Sequence, residues 1–223
     1  MKPSQSMQPA GRFTSWLKQI RLALQQNTGI RVPCGDCRAC CTSSLFIHIS
    51  PHETQTLSRI PEELLFPAPY LPKGHVLLGI SEHGHCPMFR NNGCSIYANR
   101  PLTCRQFDCR IFTATGYTPD GSKKQISQQV HRWKFELSKA EDQQHFNALR
   151  TAARFLDQHA GQFPERFIPK DPAQRAVLVL IAYPVFLSGI HESRTEALSA
   201  GHSHTIKAVI KSLEEFRFAN LIH

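Results

Sequence analysis

Four stretches of the chain have apolar patterns typical of helices, which are residues 13–24, 146–160, 177–187 and 206–216. The third is a continuous apolar run that indicates a buried helix, whereas the other three repeat at helical spacing. Start and stop signals accompany three of them. Thr28-Gly29 ends the first, Ser138-Lys139-Ala140-Glu141 forms a capping box before the second, and Asp171-Pro172 opens the third. We therefore predict an amphipathic helix near the N-terminus, packed on the core, and a mainly helical second half of the chain.

Between these helical stretches the apolar residues form short runs instead. Residues 45–49 and 75–80 are rich in strand formers and predict two strands. Ser50-Pro51-His52-Glu53 predicts the start of a helix that runs to about Ser58. Asn91-Asn92-Gly93 predicts a hairpin turn with one cysteine on each side, and residues 95–100 predict a single helical turn.

The pattern as a whole predicts an α+β fold. It consists of an irregular, cysteine-rich module with short strands, followed by a mainly α-helical region that packs on it. We expect residues 1–29 to form a polar tail, irregular over 1–10, and the amphipathic helix. Residues 30–120 are expected to form the module, and residues 121–223 the helical region.

Composition narrows the class of protein. The 223 residues are 41% hydrophobic, which argues against wholesale disorder. The net charge is +9, but the 26 Lys and Arg residues are spread along the chain without a basic stripe, so we expect no nucleic-acid partner.

The longest apolar run is half a membrane span and contains Pro184, so we expect no membrane span. The first nine residues contain no apolar segment of the kind found in signal peptides, and we expect a cytoplasmic location.

Eight cysteines carry the candidate chemistry, and all of them lie in one segment: Cys34, Cys37, Cys40, Cys41, Cys86, Cys94, Cys104 and Cys109. In a reducing compartment, clustered cysteines indicate metal ligands or redox groups more often than disulfides. Cysteines three residues apart in a loop can converge on one zinc ion or iron–sulfur cluster. Eight ligands could form two four-cysteine sites, or one such site and a second that histidine completes.

Some polar residues beside the cysteines are candidate accessory groups. His83 and His85 stand next to Cys86 and are the best ligands other than cysteine. Tyr97, Arg100 and Arg105 are the polar side chains expected nearest the centre. They would either contact an anion or substrate, or bond loop carbonyls and pack on the centre, and the second interpretation is favoured.

The cysteines and their neighbours resemble a known family. Cys34-x-x-Cys37-x-x-Cys40-Cys41, Cys86-Pro87-Met88-Phe89 and Cys94-Ser95-Ile96-Tyr97-x-x-Arg100-Pro101-x-x-Cys104 look like the YkgJ-type cysteine cluster family. The resemblance covers about residues 30–110 and implies a domain that chelates zinc or iron. Members are often labelled iron–sulfur oxidoreductases. A similar pattern in flagellin lysine N-methylases implies that an enzyme can carry such a module.

Two functions remain open from the sequence. The first is a metalloprotein that holds iron–sulfur or zinc and iron, with an oxidoreductase or group-modifying activity. The second is a non-enzymatic module in which structural zinc orders the loops and the helical region binds a protein or small-molecule partner. A third, minor alternative is a redox switch formed by the adjacent thiols of Cys40 and Cys41. No P-loop, dinucleotide-binding, nucleophile-elbow or HExxH motif is present, so the sequence assigns no reaction.

Overall fold

The computed structural model describes residues 6–188 and 198–221, so residues 1–5 of the expected tail lie outside the described residues. The fold is mixed α+β and about 51% helical, which confirms the predicted class. The strands are β1 (Gln8–Arg12), β2 (Ile47–Ile49), β3 (Leu65–Pro67), β4 (Val76–Leu78), β5 (Phe89–Arg90), β6 (Gly93–Cys94) and β7 (Trp133–Glu136). The helices are α1 (Phe13–Gln25), α2 (Thr54–Leu57), α3 (Leu102–Gln106), α4 (Arg110–Thr115), α5 (Lys124–Arg132), α6 (Ala140–Gln158), α7 (Pro172–Ser188) and α8 (Leu198–Leu221).

The chain divides into two compact units. The cysteine unit comprises Thr28–Asp108 and Gly121–Gln129. The helical unit comprises Cys109–Asp120 and the described parts of Met1–Asn27 and Val130–His223. No helix in the described part of the chain has both the length and the apolarity that a membrane crossing needs.

A three-stranded antiparallel sheet, in the order β2-β4-β3, anchors the cysteine unit. Ile47 and Ile49 point into the core, while His48 between them is half-buried, as the two-residue period of a strand requires. Ile47 pairs with Leu78, which is also buried, so both strands contribute to one apolar cluster. The predicted strands at 45–49 and 75–80 are confirmed in shorter form, and β3 was not predicted.

Glu53 joins two helix starts in this unit. One carboxylate oxygen accepts the Ser50 amide at 3.0 Å, which is the capping contact predicted from the sequence. The other accepts the Leu102 amide at the start of α3, at 2.6 Å. The helix itself begins only at Thr54, because a turn in which the Glu53 amide donates to the Ser50 carbonyl occupies the preceding residues.

The predicted hairpin is confirmed as the β5–β6 pair. Phe89 pairs with Cys94 and Arg90 pairs with Gly93, so Asn91 and Asn92 form a two-residue turn. Both asparagines have positive φ, at 50° and 58°. A two-residue turn of this kind requires positive φ at both positions, and asparagine tolerates it better than most residues.

The helical unit contains a parallel strand pair that the sequence analysis missed. β1 pairs with β7, and Ala10 on β1 is completely buried. The expectation of an irregular tail over residues 1–10 is therefore wrong for its last three residues, 8–10, which belong to β1. The strand continues directly into α1, whose Phe13 and Trp16 pack against Phe135 on β7. These aromatic contacts bury the start of the chain against a strand far along the sequence.

The predicted long helices of this unit are confirmed and pack on one another. α6 contacts α1, α4 and α7, and α7 contacts α8. Their shared faces supply the fully buried side chains Leu149, Leu156, Val179, Leu180 and Val209. Asp171 Oδ1 accepts the Gln174 amide at 2.9 Å, so the predicted start of α7 is formed as expected.

The start of α6 depends on Asp142, which is completely buried. Its carboxylate accepts the Lys139 amide at 3.1 Å, so Asp142 takes the capping role that the sequence analysis gave to Glu141. The same carboxylate accepts both the amide and the hydroxyl of Thr14, at 3.1 and 2.6 Å. Arg12 Nε lies 3.1 Å from each of its oxygens. One side chain therefore ties α6 to the β1–α1 junction.

Candidate metal centre

The first cysteine run folds into two successive tight turns. The Cys37 amide donates to the Cys34 carbonyl at 3.0 Å, and the Cys41 amide donates to the Arg38 carbonyl at 3.0 Å. Gly35 has φ of 56°, a left-handed conformation that glycine adopts without strain. Cys34, Cys37 and Cys41 are half-buried, whereas Cys40 is exposed. The adjacent thiols Cys40 and Cys41 thus lie in different environments.

Backbone hydrogen bonds join the end of this run to the segment that carries Cys86. The Cys86 amide donates to the Cys41 carbonyl at 2.8 Å, and the Ser44 amide donates to the Gly84 carbonyl at 3.0 Å. The Ser44 hydroxyl reinforces the second contact at 2.7 Å. These bonds bring Cys41 and Cys86, which are 45 residues apart in the sequence, into one region of the cysteine unit.

Three further thiols share one apolar surface. Cys86, Cys94 and Cys104 are partly buried against the cluster formed by Ile47, Ile49, Ile60, Leu78, Met88 and Ile96. Cys94 reaches it from β6 and Cys104 from α3, while Cys86 precedes the hairpin, where its carbonyl accepts the Phe89 amide at 2.9 Å. Three separate segments of the unit therefore direct a thiol to the same small core.

The thiols also influence one another electrostatically. Burial raises the pKa of Cys41 to about 11, and the neighbouring Cys86 and Cys94 thiols add to the increase. Burial, with Cys86, Cys41 and Cys94 as neighbours, raises the pKa of Cys104 to about 12. Four thiols in this arrangement resist ionising together. A bound cation would offset their mutual repulsion and displace their protons.

The Cys86 sulfur has a further feature that suits a metal ligand. Burial raises the pKa of its thiol, but the backbone amides of Met88 and Phe89 donate hydrogen bonds to the sulfur and oppose that increase. Amides two and three residues after a cysteine, directed at its sulfur, stabilise the thiolate form that binds metal. Pro87 lies between the cysteine and these amides and stiffens the turn.

The thiol donors suit zinc or iron, although their side chains do not converge on one point. Thiolate sulfur is the ligand that zinc and iron–sulfur clusters share. As the side chains stand, no three Cys, His, Asp or Glu groups of residues 6–188 and 198–221 are close enough to hold one ion. Closing a coordination sphere around Cys41, Cys86, Cys94 and Cys104 would require their side chains to rotate toward a common point.

Cys109 is the one cysteine of the eight that belongs to the helical unit. It is 5% exposed and precedes the first residue of α4. The indole Nε1 of Trp133 donates to its sulfur at 3.1 Å. Its surroundings in the helical unit are those of a buried core thiol, with Arg110 Nη1 beside it bound to the Ala10 carbonyl at 3.0 Å.

The two histidines beside Cys86 have other neighbours. His83 is largely exposed, and its imidazole Nε2 lies 3.6 Å from the Glu82 carboxylate. The ring of His85 packs edge-on against Phe89, with ring centres 5.8 Å apart. His85 also bonds Ser81 through its backbone, which closes the loop before Cys86.

The accessory residues of the later cysteine segment bond to the protein itself. Tyr97 is 65% exposed, and Arg100 stacks on its ring at 4.1 Å and donates to its carbonyl at 2.8 Å. Arg105 Nη2 lies 3.8 Å from Glu53, and its carbonyl accepts the Ile30 amide at 2.8 Å. Its Nε is buried and has no partner among the described residues.

Arg38 is the polar residue most closely built into the cysteine run, although it was not among the accessory residues predicted from the sequence. Its guanidinium donates to the Gly35 and Cys37 carbonyls at 3.0 Å, and to the Asn92 carbonyl at 2.9 Å. It therefore joins the run to the turn of the β5–β6 hairpin. Its charge also lowers the pKa of Cys41, against the larger opposing effect of burial. Its position directly after Cys37 was the available sequence signal.

Replacing Arg38 with alanine is expected to weaken metal binding about tenfold, since groups that hold ligand-bearing loops typically contribute ten- to hundredfold to affinity. Competition with a chelator would measure the change. Arg90→Ala is the matched control, because Arg90 is exposed on the same hairpin. Equal affinities in the two variants would show that the Arg38 contacts do not support the site.

The fold and its thiol set are those of a cysteine-rich protein whose sulfur donors suit zinc or iron. Residues 33–148, which are 116 of the 223, match the family named CxxCxxCC, described as a "putative zinc- or iron-chelating domain". This match covers more than half of the chain and all eight cysteines, so the protein belongs to that family. No curated protein and no solved structure matches the chain.

Proposed function

We propose that Cys41, Cys86, Cys94 and Cys104 together hold one metal centre in the cysteine unit. The observation that carries this proposal is the packing of Cys86, Cys94 and Cys104 on one apolar cluster. The backbone bond between Cys86 and Cys41 adds the fourth thiol to the same region. Four thiolates would complete the tetrahedral set of a structural zinc site or the ligand set of an iron–sulfur cluster.

The role that follows is to hold the unit together. Only six buried apolar residues form the cluster beneath the thiols, and the unit's strands are two or three residues long. A core of this size contributes little folding free energy, and a structural metal is a common substitute. The centre would therefore fix the first run, the hairpin and α3 against one another.

An oxidoreductase or group-modifying reaction, which the sequence left open, is the less supported function. Such a reaction at the metal would need an open coordination position and polar groups facing it. Arg100 and Arg105, the candidate substrate contacts, contact Tyr97 and Glu53, in line with the favoured interpretation that they interact with the protein itself. A closed, four-thiolate centre suits a structural role, or electron transfer if the centre is an iron–sulfur cluster.

Anaerobic purification followed by elemental analysis, acid-labile sulfide determination and absorption spectroscopy would test the proposal. We expect one zinc ion, or one cluster's iron with matching sulfide, per chain. Protein that folds without any zinc or iron would contradict the proposal. A second ion per chain would need further ligands, for which Cys34, Cys37 and Cys40 are the remaining thiols of the cysteine unit.

Thiol alkylation of the metal-loaded protein, read by peptide mass spectrometry, would separate the neighbouring cysteines. We expect Cys40 to react rapidly because it is exposed, and Cys41 to be protected by the metal. Removing the metal should expose Cys41 to the reagent. Equal, rapid labelling of both thiols in loaded protein would instead support a thiol switch at this pair.

A further inference from the structure

A cavity of about 410 Å³ lies on the helical unit, where the end of α4 meets one face of α6. This volume is within the range of small-molecule sites. The residues that matter to its chemistry are Gly116, Tyr117, Asn147, Arg150, Arg154 and Asp157. Four of them fall on α6 at positions that share one side of a helix.

Two arginines give the cavity its charge. Arg150 Nη2 donates to the Thr113 carbonyl at 3.2 Å, and its guanidinium lies over the Phe146 ring at 5.2 Å. Its Nε is buried without a partner among the described residues. Arg154, one turn later, is exposed and donates to the Thr151 hydroxyl at 3.3 Å. Within the described part of the chain, neither guanidinium is paired with a carboxylate.

Asp157, the carboxylate among the described residues that line the cavity, is already paired. Asp157 accepts a hydrogen bond from the Tyr117 hydroxyl at 3.1 Å, and Arg175 Nη1 lies 3.1 Å from the same oxygen. Arg175 is fixed in turn by the Pro169 carbonyl at 3.0 Å. Among the described residues, neither Arg150, which is half-buried, nor Arg154, which is exposed, has a carboxylate partner. The cavity therefore presents two positive charges to an anion.

Gly116 makes room for one of these guanidinium groups. A Cβ added at this position would lie 1.8 Å from Arg150 Nη1, so Arg150 occupies the space that any side chain would fill. Gly116 also ends α4 with φ of 87°, which favours glycine. The end of α4 is therefore shaped to hold Arg150 at the wall of the cavity.

We propose that this cavity binds a small dianion through a phosphate group, with Arg150 and Arg154 as its charged contacts. Two guanidinium charges match the charge of a phosphate dianion, and arginine forms strong, paired hydrogen bonds to phosphate oxygens. A tetrahedral group offers oxygens in several directions, so two arginines one helical turn apart can each bind different ones. Asn147, exposed on the preceding turn of α6, supplies a further polar contact.

Calorimetric titration of the full chain with inorganic phosphate at pH 7.5 tests the site, with malonate as the carboxylate probe. We expect one phosphate to bind per chain. Arg154→Gln should weaken binding at least tenfold, because a paired contact to the anion is lost. Arg59→Gln makes the same charge change at an exposed position of the cysteine unit and should leave affinity unchanged.

A second variant keeps the test decisive if Arg154→Gln folds poorly. Asn147→Asp places a negative charge in the cavity at an exposed position and retains the side-chain oxygen that accepts from Gln143 at 2.9 Å. It should also weaken phosphate binding at least tenfold. Absence of phosphate binding to the unaltered chain, or equal affinity in the Arg154 and Arg59 variants, would overturn the proposal. Malonate binding that phosphate does not displace would overturn the assignment to phosphate.

Discussion

Replacing Cys104 with serine is expected to lower the metal content of the purified protein from one centre per chain to almost none. Cys104 lies with Cys86 and Cys94 on the same apolar cluster, and a serine oxygen is a poor ligand for the ions that prefer thiolate. Structural zinc contributes on the order of 10 kcal/mol to the folding of small metal-binding domains. Elemental analysis should therefore report a large loss of metal, and thermal unfolding a large loss of stability centred on the cysteine unit.

Cys109→Ser is the matched control, because it makes the same chemical change five residues later. Cys109 is buried in the helical unit and accepts the Trp133 indole at 3.1 Å. We expect this variant to keep its metal and to lose about 1–3 kcal/mol of stability, the usual cost of placing a hydroxyl in such a site. If Cys104→Ser retained the metal, or if Cys109→Ser released it, the proposed ligand set would be wrong.

The helices were predictable because their apolar faces repeat over three or more turns. A repeat of that length is typical of a helix and rare in strands or loops, as α1 and α6 illustrate. β1 and β7 offered no comparable pattern. β1 reads Gln-Pro-Ala-Gly-Arg, and its partner lies more than 100 residues further along the chain. Its strand conformation results from long-range pairing and burial, which local sequence does not encode.

The sequence identified the cysteines as candidate ligands, but it could not show which of them lie together in one site. Spacing grouped Cys34, Cys37 and Cys40 but did not show which of the later cysteines belong together, and Cys104 and Cys109 fall in different units. α3 ends at Gln106 and α4 begins at Arg110, and that short break separates the two thiols. The contacts of Glu53 with the Leu102 amide and of Arg38 with the Asn92 carbonyl join groups distant in sequence, so the local pattern could not reveal them.

Replacing Asp142 is expected to have the second large effect, which is on the stability of the helical unit. Burial alone would raise the pKa of its carboxyl, but hydrogen bonds from Thr14, Arg12 and the Lys139 amide more than offset it. The pKa of Asp142 therefore lies well below its usual range. Asp142→Asn retains the size of the side chain but leaves several of these donors facing an amide, which cannot satisfy them all.

We expect Asp142→Asn to lower the Tm by about 10 °C, the scale set by losing one partner of a buried ion pair in a chain of this size. Glu141→Gln is the control. Glu141 is largely exposed and lies 3.6 Å from Arg12, so its loss should shift the Tm by about 2 °C at most. A similar small shift in both variants would show that the buried contacts of Asp142 contribute little.

The low pKa of the Asp142 carboxyl predicts how the stability of the protein depends on pH. Because its pKa is lower in the folded state, the unfolded chain binds the proton more readily below the ordinary aspartate pKa of about 3.9. The stabilisation from Asp142 is therefore complete above about pH 5 and is lost as the pH falls through about 4 and below. Asp142→Asn lacks this dependence. Denaturant unfolding of both proteins from pH 7 to pH 3 should show their stability difference shrinking toward the acid end, and a constant difference would contradict the assignment.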